Sequence, residues 1–388
     1  RYQGFFGAVF GVSAVAGPLI GGWLTDAISW RWIFYINVPV AALAIFLIAT
    51  RLNLRTVRRD HSIDYLGAAL VVGSVSSLLL YLNYAGESWG WTDGRALALL
   101  AAGIALAVAF VFVELRAAEP IIPMRLLKND IFTISNAFGF ISGLAMFGGI
   151  IFLPLYFQGT LGMSPTRSGM AMLPMVVGIF SFSITTGLLI TKTGKYKIFP
   201  IAGSVLITIG LLLLNRLAVD TAYWYIAIAA FVFGAGLGLT MQPMMVAVQN
   251  AVPFRDMGAA TSSITFTRSL GSAIGTAIFG AILNTRLAGY LEEGFGAGGP
   301  EIEASTEAAN NIQAMRELEE PARGIVLGAY TDAITDLFIV AIPFVLIGLV
   351  IALFLREIPL QTGGPPTPAR EGAKPESASE PLPTVPAH

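Results

Sequence analysis

Cysteine is absent from this sequence of 388 residues, which excludes a disulfide framework, a thiolate metal site and a cysteine nucleophile. Histidine occurs only at His61 and His388, and both lie in polar segments. The sequence also lacks a phosphate-cradling P-loop and a cluster of His, Asp and Glu. We therefore expect no enzyme activity, no ATP-driven transport by this chain, no metal and no cofactor.

Charged residues are also scarce. Charged residues make up 12% of the sequence, whereas a soluble domain carries about 25%, and hydrophobic residues make up 55%. A surface with so few charges must face lipid, so the bilayer is the expected surrounding. Apolar sequence begins within a few positions of Arg1, without a cleavable signal, and we expect the natural protein to start further upstream.

Long apolar runs are abundant. About ten windows are long enough for an α-helix to cross a hydrocarbon core of about 30 Å. They are continuously apolar, whereas a membrane β-strand would alternate apolar and polar residues. The expected fold is therefore an all-α polytopic membrane protein with about ten transmembrane helices. The windows cover residues 4–25, 32–50, 64–84, 95–114, 131–157, 168–190, 198–215, 222–247, 258–283 and 333–355.

Basic residues concentrate in the short loops that follow every second window, beginning with the loop after 32–50. By the positive-inside rule, this side of the membrane is predicted to be cytoplasmic, and residue 1 also starts inside. The basic loops contain Arg51, Arg55, Arg58, Arg59, Arg116, Arg125, Lys128, Lys192, Lys195, Lys197 and Arg255, whereas the opposite short loops contain Arg31, Arg95, Arg167 and Arg216.

Two long segments are polar. Residues 285–332 are rich in glutamate, and we expect them to form an extracytoplasmic loop with a solvated surface helix near 301–320. Residues 357–388 are rich in Pro, Gly, Ser and Glu, a composition that buries too little apolar area to offset chain entropy. We expect them to be a disordered cytoplasmic tail.

Small residues recur every three or four positions in the first window, a pattern that permits close helix contact. They are Gly7, Gly11, Gly17, Pro18, Gly21 and Gly22, and the stretch Trp30–Pro39 follows soon after. In this order they resemble the antiporter motif of the fifth span, and the entry to the sixth, in the 14-span drug:proton antiporter branch of the major facilitator superfamily, the EmrB/QacA type. The resemblance implies a major facilitator fold whose first four spans are missing from this chain.

The same resemblance implies a domain arrangement. Residues 1–50 would be the last two helices of an N-terminal lobe, and 51–130 an inserted helix pair with its cytoplasmic linkers. Residues 131–356 would be a six-helix C-terminal lobe that includes the 285–332 loop. Further matches support the alignment at Asp64–Gly67, Leu155–Gly159, Gly162–Pro174, Gln242–Pro243 and Gln249–Ser262.

Residues 187–195 resemble the second copy of the family's cytoplasmic hinge motif, through Gly187, Lys192, Gly194 and Lys195. Thr191 stands where an aspartate is often found, which puts a charge-paired latch at this loop in doubt.

Arg268 lies about ten residues into the 258–283 window, where a charge costs at least about 2.5–3.5 kcal/mol on insertion scales. Such a residue faces a cavity or a partner, so it serves either substrate or gating, or a structural tether to backbone carbonyls. Other polar, aromatic and methionine side chains suit a pocket that repacks around varied apolar guests, although packing between helices is an alternative for each. With Arg268, the candidate cavity comprises Asn136, Phe140, Phe147, Tyr156, Gln158, Gln242 and Met245.

The expected function is secondary active transport, with export of drugs or other amphipathic small molecules in exchange for protons. The expected partners are a small-molecule substrate, protons and the bilayer, and no nucleic acid. Because no titratable side chain is evident deep in these windows, the resemblance places the proton carrier in the missing spans. Two alternatives remain: a dedicated exporter of one metabolite or antibiotic, and a non-transporting truncated membrane protein.

Overall fold

The computed structural model describes residue 17 and residues 20–51, 64–85, 89–117, 120–122, 124–296 and 318–360. Among them, eight helical segments are long and apolar enough to cross a membrane, and Ile198–Leu214 is a shorter apolar helix. These helices coincide with every predicted window except the first, most of which lies outside the described residues. The expectation of an all-α polytopic fold is confirmed.

The principal helices follow the chain in a simple order. They are α1 (Trp32–Tyr35), α2 (Asn37–Arg51), α3 (Tyr65–Tyr84), α4 (Gly94–Glu114), α5 (Asp130–Gly159), α6 (Pro165–Ala171), α7 (Leu173–Thr193), α8 (Ile198–Leu214), α9 (Tyr223–Ala251), α10 (Met257–Phe295) and α11 (Ala322–Leu353), with short 3-10 helices at Met124–Lys128 and Phe254–Asp256.

Side chains define several helix ends. Asp64 accepts a hydrogen bond of 2.7 Å from the backbone N–H of Gly67 and so caps α3. Asn129 accepts from the N–H groups of Ile131 and Phe132 at the start of α5. Gly194 ends α7 with a φ of 71°, a left-handed conformation that glycine adopts without steric cost. These local signals set the helix bounds.

Helices α5 and α7 to α11 form the main packed unit. Helix α9 runs along α7 and α8, α10 runs along α5, and α11 packs against α5, α8 and α10. Their shared core includes Phe157, Leu211, Phe233, Phe279 and Phe338, all fully or almost fully buried. Helices α3 and α4 pair with each other, and α3 also contacts α10.

Glycine permits the closest of these contacts. A Cβ on Gly275 of α10 would lie 2.6 Å from the carbonyl oxygen of Leu144 on α5, and Gly143 and Gly271 meet the facing backbones of the same pair. A Cβ on Gly178 of α7 would lie 2.5 Å from the carbonyl oxygen of Phe231 on α9. Small residues bring helix backbones together where lipid supplies no hydrophobic drive between helices.

Two helices are longer than their apolar windows. Helix α10 continues to Phe295, and α11 begins at Ala322, so both ends of the predicted 285–332 loop are helical. Leu291 and Val326 are fully buried within the shared core. A helix satisfies its own backbone hydrogen bonds, so it extends beyond the apolar window wherever one face continues to pack.

Candidate functional site

Arg268 lines a cleft where α5, α9 and α10 converge. The cleft is narrow: the space between its side chains is about 350 Å³ including space open to solvent, and only about 20 Å³ of it has room for water. Phe138 and Met146 come from α5, and Met241 and Met244 come from α9. Arg268 of α10 supplies a positive charge. The lining residues are Phe138, Gly139, Ser142, Met146, Leu237, Thr240, Met241, Met244, Ile264 and Arg268.

The charge of Arg268 is not neutralised by the described residues. Its guanidinium makes no ion pair or side-chain hydrogen bond with any of them, although its carbonyl oxygen accepts from the Ser272 hydroxyl at 2.9 Å. The two hydroxyls of the cleft bond to their own helices: Ser142 donates to Gly139 at 3.1 Å and Thr240 to Leu237 at 2.9 Å. Arg268 is therefore the strongest donor available to a guest.

Asn136 joins α5 to α10. Its side-chain oxygen accepts hydrogen bonds of 3.0 Å from the hydroxyls of Ser263 and Thr267, and its amide nitrogen donates to the carbonyl of Phe132 at 2.9 Å. Asn136 is buried, and these bonds use its polar atoms. The geometry favours the alternative of interhelical bonding over contact with a ligand.

Tyr156, Phe140 and Gln158 lie away from the Arg268 cleft. Tyr156 is fully buried, and its hydroxyl donates to the carbonyl of Ala218 at 2.7 Å, which anchors the α8–α9 connection. Phe140 packs against the shared core, and Gln158 donates to the Ser168 hydroxyl at 3.4 Å on α6. The structure thus disperses the predicted cavity set, because these side chains leave α5 on different faces.

The remaining predicted residues of the cavity also fall outside the cleft lining. Gln242 is exposed and Met245 is half-buried on α9. The side chain of Phe147 lies outside the described part of the chain. Sequence reasoning left Ser142 and Thr240 out, although Phe138, Ser142 and Met146 are spaced four residues apart and so share a helix face.

The structure describes only part of the small-residue motif. Gly7, Gly11 and Pro18 lie outside the described residues. Gly17 and Gly21 face open space, but a Cβ on Gly22 would lie 2.7 Å from the carbonyl oxygen of Pro165. Nearby, Asp26 accepts from the backbone N–H of Thr166 at 2.9 Å and also from its hydroxyl. The hydroxyl hydrogen bond is the main cause that lowers the pKa of Asp26.

The predicted hinge loop receives a carboxylate from the far end of the chain. Lys192 and Lys195 are exposed, and Thr191 bonds to its own helix through the carbonyl of Gly187. Glu357 accepts from the backbone N–H of Tyr196 at 2.8 Å and of Lys197 at 3.4 Å, at the start of α8.

The chain around Glu357 forms a strap, residues 356–360, across this loop. The hydroxyl of Tyr196 donates to the carbonyl of Arg356 and accepts from the N–H of Ile358, both at 2.9 Å. Asn250 donates to the carbonyl of Pro359 at 3.0 Å. Burial raises the pKa of Tyr196, which keeps this hydroxyl a donor. The first residues of the predicted disordered tail are therefore held by specific hydrogen bonds.

This fold defines a polytopic helical membrane protein in which α5, α9 and α10 converge on the Arg268 cleft. Residues 1–276 match the family model for the Major Facilitator Superfamily. The chain belongs to the major facilitator superfamily and is a multi-pass protein of the cell membrane.

Relatives in bacteria extend the match. The chain is 38% identical to the uncharacterized MFS-type transporter Rv1877 of Mycobacterium tuberculosis over 361 residues, which are 93% of this chain and 52% of the relative. It is 38% identical over 293 residues to the multidrug transporter protein MdtP of Bacillus subtilis, covering 76% of this chain and 54% of MdtP. Multidrug resistance protein 3 of Bacillus subtilis is 30% identical over 371 residues, 93% of this chain and 72% of that protein. The chain spans about half the length of Rv1877 and of MdtP.

Proposed function

We propose that this chain is the greater part of an exporter of drugs or other amphipathic small molecules, and that Arg268 contacts the substrate. The carrying observation is the Arg268 cleft, where a cation without a described counter-ion faces methionine and phenylalanine side chains. Methionine is flexible and polarizable, so a surface rich in it repacks around different guests. The relatives named as multidrug proteins support this proposal.

The proposed mechanism is alternating access around a midplane site between two lobes. Helices α5 and α7 to α11 would form the C-terminal lobe, and α3 with α4 the inserted pair of the 14-span branch. The first four spans of that branch would precede this chain. Resemblance to drug:proton antiporters supports protons as the driving ion, with the carrier in those preceding spans.

The test uses the full coding sequence, expressed in bacteria that lack their own efflux pumps. Accumulation of several unrelated fluorescent compounds is measured with Arg268→Ala, Arg268→Lys and, as a matched control, the exposed loop substitution Arg216→Ala. We expect both Arg268 variants to export several-fold less at equal membrane abundance, because lysine keeps the charge but loses the planar fork of donors. Export by the Arg216 variant should match the wild type.

Normal export by both Arg268 variants would remove the proposed substrate contact. Export of one compound alone would favour a dedicated exporter. Collapsing the proton gradient in everted vesicles should abolish export, and continued export after collapse would contradict proton coupling.

A further inference from the structure

The strap follows α11 closely and contacts the ends of three other helices on the side predicted to be cytoplasmic. Arg356 lies 3.2 Å from the carboxylate of Asp130 at the start of α5. Glu357 accepts from two backbone N–H groups at the start of α8. The side chain of Asn250, near the end of α9, donates to the carbonyl of Pro359 at 3.0 Å. The strap therefore ties the ends of α5, α8 and α9 to the end of α11.

Apolar side chains of the strap also pack into the protein. Ile358 and Leu360 are half-buried against a cluster of buried side chains that includes Phe138 and Met244. Phe138 and Met244 are also lining residues of the Arg268 cleft. One packed cluster therefore connects the strap with the wall of the cleft.

The cleft lies close to the tied helix ends. Phe138 lies eight residues from the start of α5 and Met244 seven residues from the end of α9, which corresponds to about 12 Å and about 10 Å along a helix. Asn129 also joins these two ends directly, because its side chain donates to the carbonyl of Ala251 at 3.0 Å. Since α5 and α9 each supply part of the cleft wall, separation of their ends would widen the cleft, and the strap opposes that separation.

The cleft must widen before it can hold a guest. Only about 20 Å³ of it has room for water, whereas ligand pockets measure about 300–1,000 Å³. The strap is suited to release, because it lies outside a helix and its ion pair with Asp130 is exposed to solvent. Segments held by a few exposed contacts open locally at a low free energy.

We propose that the docked strap holds the Arg268 cleft narrow, and that its release lets the tied ends of α5 and α9 separate so that the cleft widens. The strap would then control access to the cleft from the predicted cytoplasmic side. The proposal concerns the shape of the cleft and not its guest, so it stands whether or not Arg268 contacts substrate.

The test measures how fast a cysteine placed in the cleft is alkylated. The sequence contains no cysteine, so Ser142→Cys provides a single reporter among the lining residues. Its reaction with N-ethylmaleimide is followed by mass spectrometry on the purified chain in lipid nanodiscs. Two reference reporters lie elsewhere: Thr92→Cys is in the exposed connection between α3 and α4, and Thr331→Cys is buried in α11.

The strap is altered in two ways, each with a matched control. A chain that ends after Leu355 lacks the strap, and a chain that ends after Leu360 keeps it. Tyr196→Phe keeps the buried ring but removes the hydroxyl that bonds twice to the strap. Tyr225→Phe is its control, because it removes a hydroxyl that bonds instead to the carbonyl of Leu213 at 3.0 Å.

We expect Ser142→Cys to react about fivefold faster or more when the strap is deleted, and about twofold to fivefold faster in Tyr196→Phe. The loss of a few hydrogen bonds raises the population of the open form by factors of this size, and alkylation follows that population. The chain that ends after Leu360 and the Tyr225→Phe variant should react within about 1.5-fold of the unaltered chain. Both reference reporters should keep their rates in every variant.

An unchanged rate at Ser142→Cys in the Tyr196→Phe variant and in the strap-deleted chain would overturn the proposal. An equal acceleration at Thr331→Cys would also overturn it, because general unfolding would then explain the result. The same holds for an equal acceleration in the chain that ends after Leu360. If the strap-deleted chain does not fold, Tyr196→Phe decides alone. No reading depends on export, so this proposal and the proposed function fail separately.

Discussion

Helices α1–α2 and α9 are all strongly apolar, yet α1–α2 are exposed whereas most of α9 is buried within the protein. The best window of Trp32–Arg51 has a mean hydropathy of 2.2 and no buried residue, whereas that of Tyr223–Ala251 has a mean hydropathy of 1.7 and is 61% buried. The more apolar segment is thus the less enclosed by protein. Lipid solvates an apolar side chain as well as a protein core does, so hydropathy predicts membrane insertion and not helix contact.

The two helices also differ in composition. Helix α2 contains no glycine, and its side chains are mostly bulky or branched. Helix α9 carries Gly234, Gly236 and Gly238, and each meets the backbone of a neighbouring helix. Close backbone approach adds dispersion contacts that lipid cannot match. The predictions below test whether these small residues, and a few hydrogen bonds between helices, account for the different burial of the two regions.

The largest effect is expected from adding bulk to the α9 interface. In Gly238→Leu the new side chain meets the carbonyl of Ile179 and the N–H of Ser183 on α7, so the helices must separate, at a cost of about 1–3 kcal/mol or more. The same bulk in Ala42→Leu on the exposed α2, or in Gly280→Leu, where α10 faces open space, should cost little. Folded yield and SDS-induced unfolding in mixed micelles measure the three variants. Equal losses of stability in Ala42→Leu and Gly238→Leu would contradict the proposed role of the small residues in helix packing.

A smaller effect is expected from a polar bridge. Asn136→Leu keeps the side-chain volume but removes the acceptor shared by Ser263 and Thr267, so the free energy of unfolding should fall by about 0.6–1.7 kcal/mol. In Asn37→Leu the lost bond runs from exposed α2 to the carbonyl of Ile33 on the adjoining exposed α1, and we expect a change near zero. The same unfolding assay compares them. A larger loss at Asn37 would contradict the assignment of Asn136 to interhelical bonding.

The strap should give a local effect. Glu357→Gln weakens the acceptor for the N–H groups of Tyr196 and Lys197, so their hydrogen exchange should accelerate about threefold to fivefold with little change in global stability. Exchange mass spectrometry over residues 194–198 measures it. Glu319→Gln, on an exposed residue, serves as the control. Unchanged exchange in Glu357→Gln would show that the strap does not hold the loop.

The smallest effect concerns the contact that ties residues 20–27 to the start of α6. Because the pKa of Asp26 is lowered, its hydrogen bonds to Thr166 persist above the ordinary aspartate pKa and are lost as the pH falls through the lowered value. The amide chemical shift of Thr166 in 15N-threonine-labelled protein should report this transition in acid. Asp26→Asn should abolish it. A transition retained in that variant would assign the titration to another group.

Particular residues show how far sequence reasoning reached. From the depth of Arg268 within an apolar window, sequence reasoning expected it to face a cavity or a partner, and Arg268 is among the residues that line the cleft. The spacing of Phe138, Ser142 and Met146 would have identified one wall. Tyr156 and Asn136 could not be assigned in the same way. Their roles depend on the carbonyl of Ala218 and on the hydroxyls of Ser263 and Thr267, which are far away in the chain.

The sequence by itself determined where the helices lie, that they belong in a membrane and which family the chain resembles, because hydropathy and short motifs are properties of consecutive residues. Only the tertiary structure decided which helix faces meet, that Glu357 reaches the hinge loop, and that Arg286 of α10 pairs with Asp336 of α11. Those contacts join residues that are distant in the chain, and they depend on the rotation and depth of each helix against its neighbours. Small residues and hydrogen bonds between helices fix this rotation and depth, whereas apolar composition alone does not determine them.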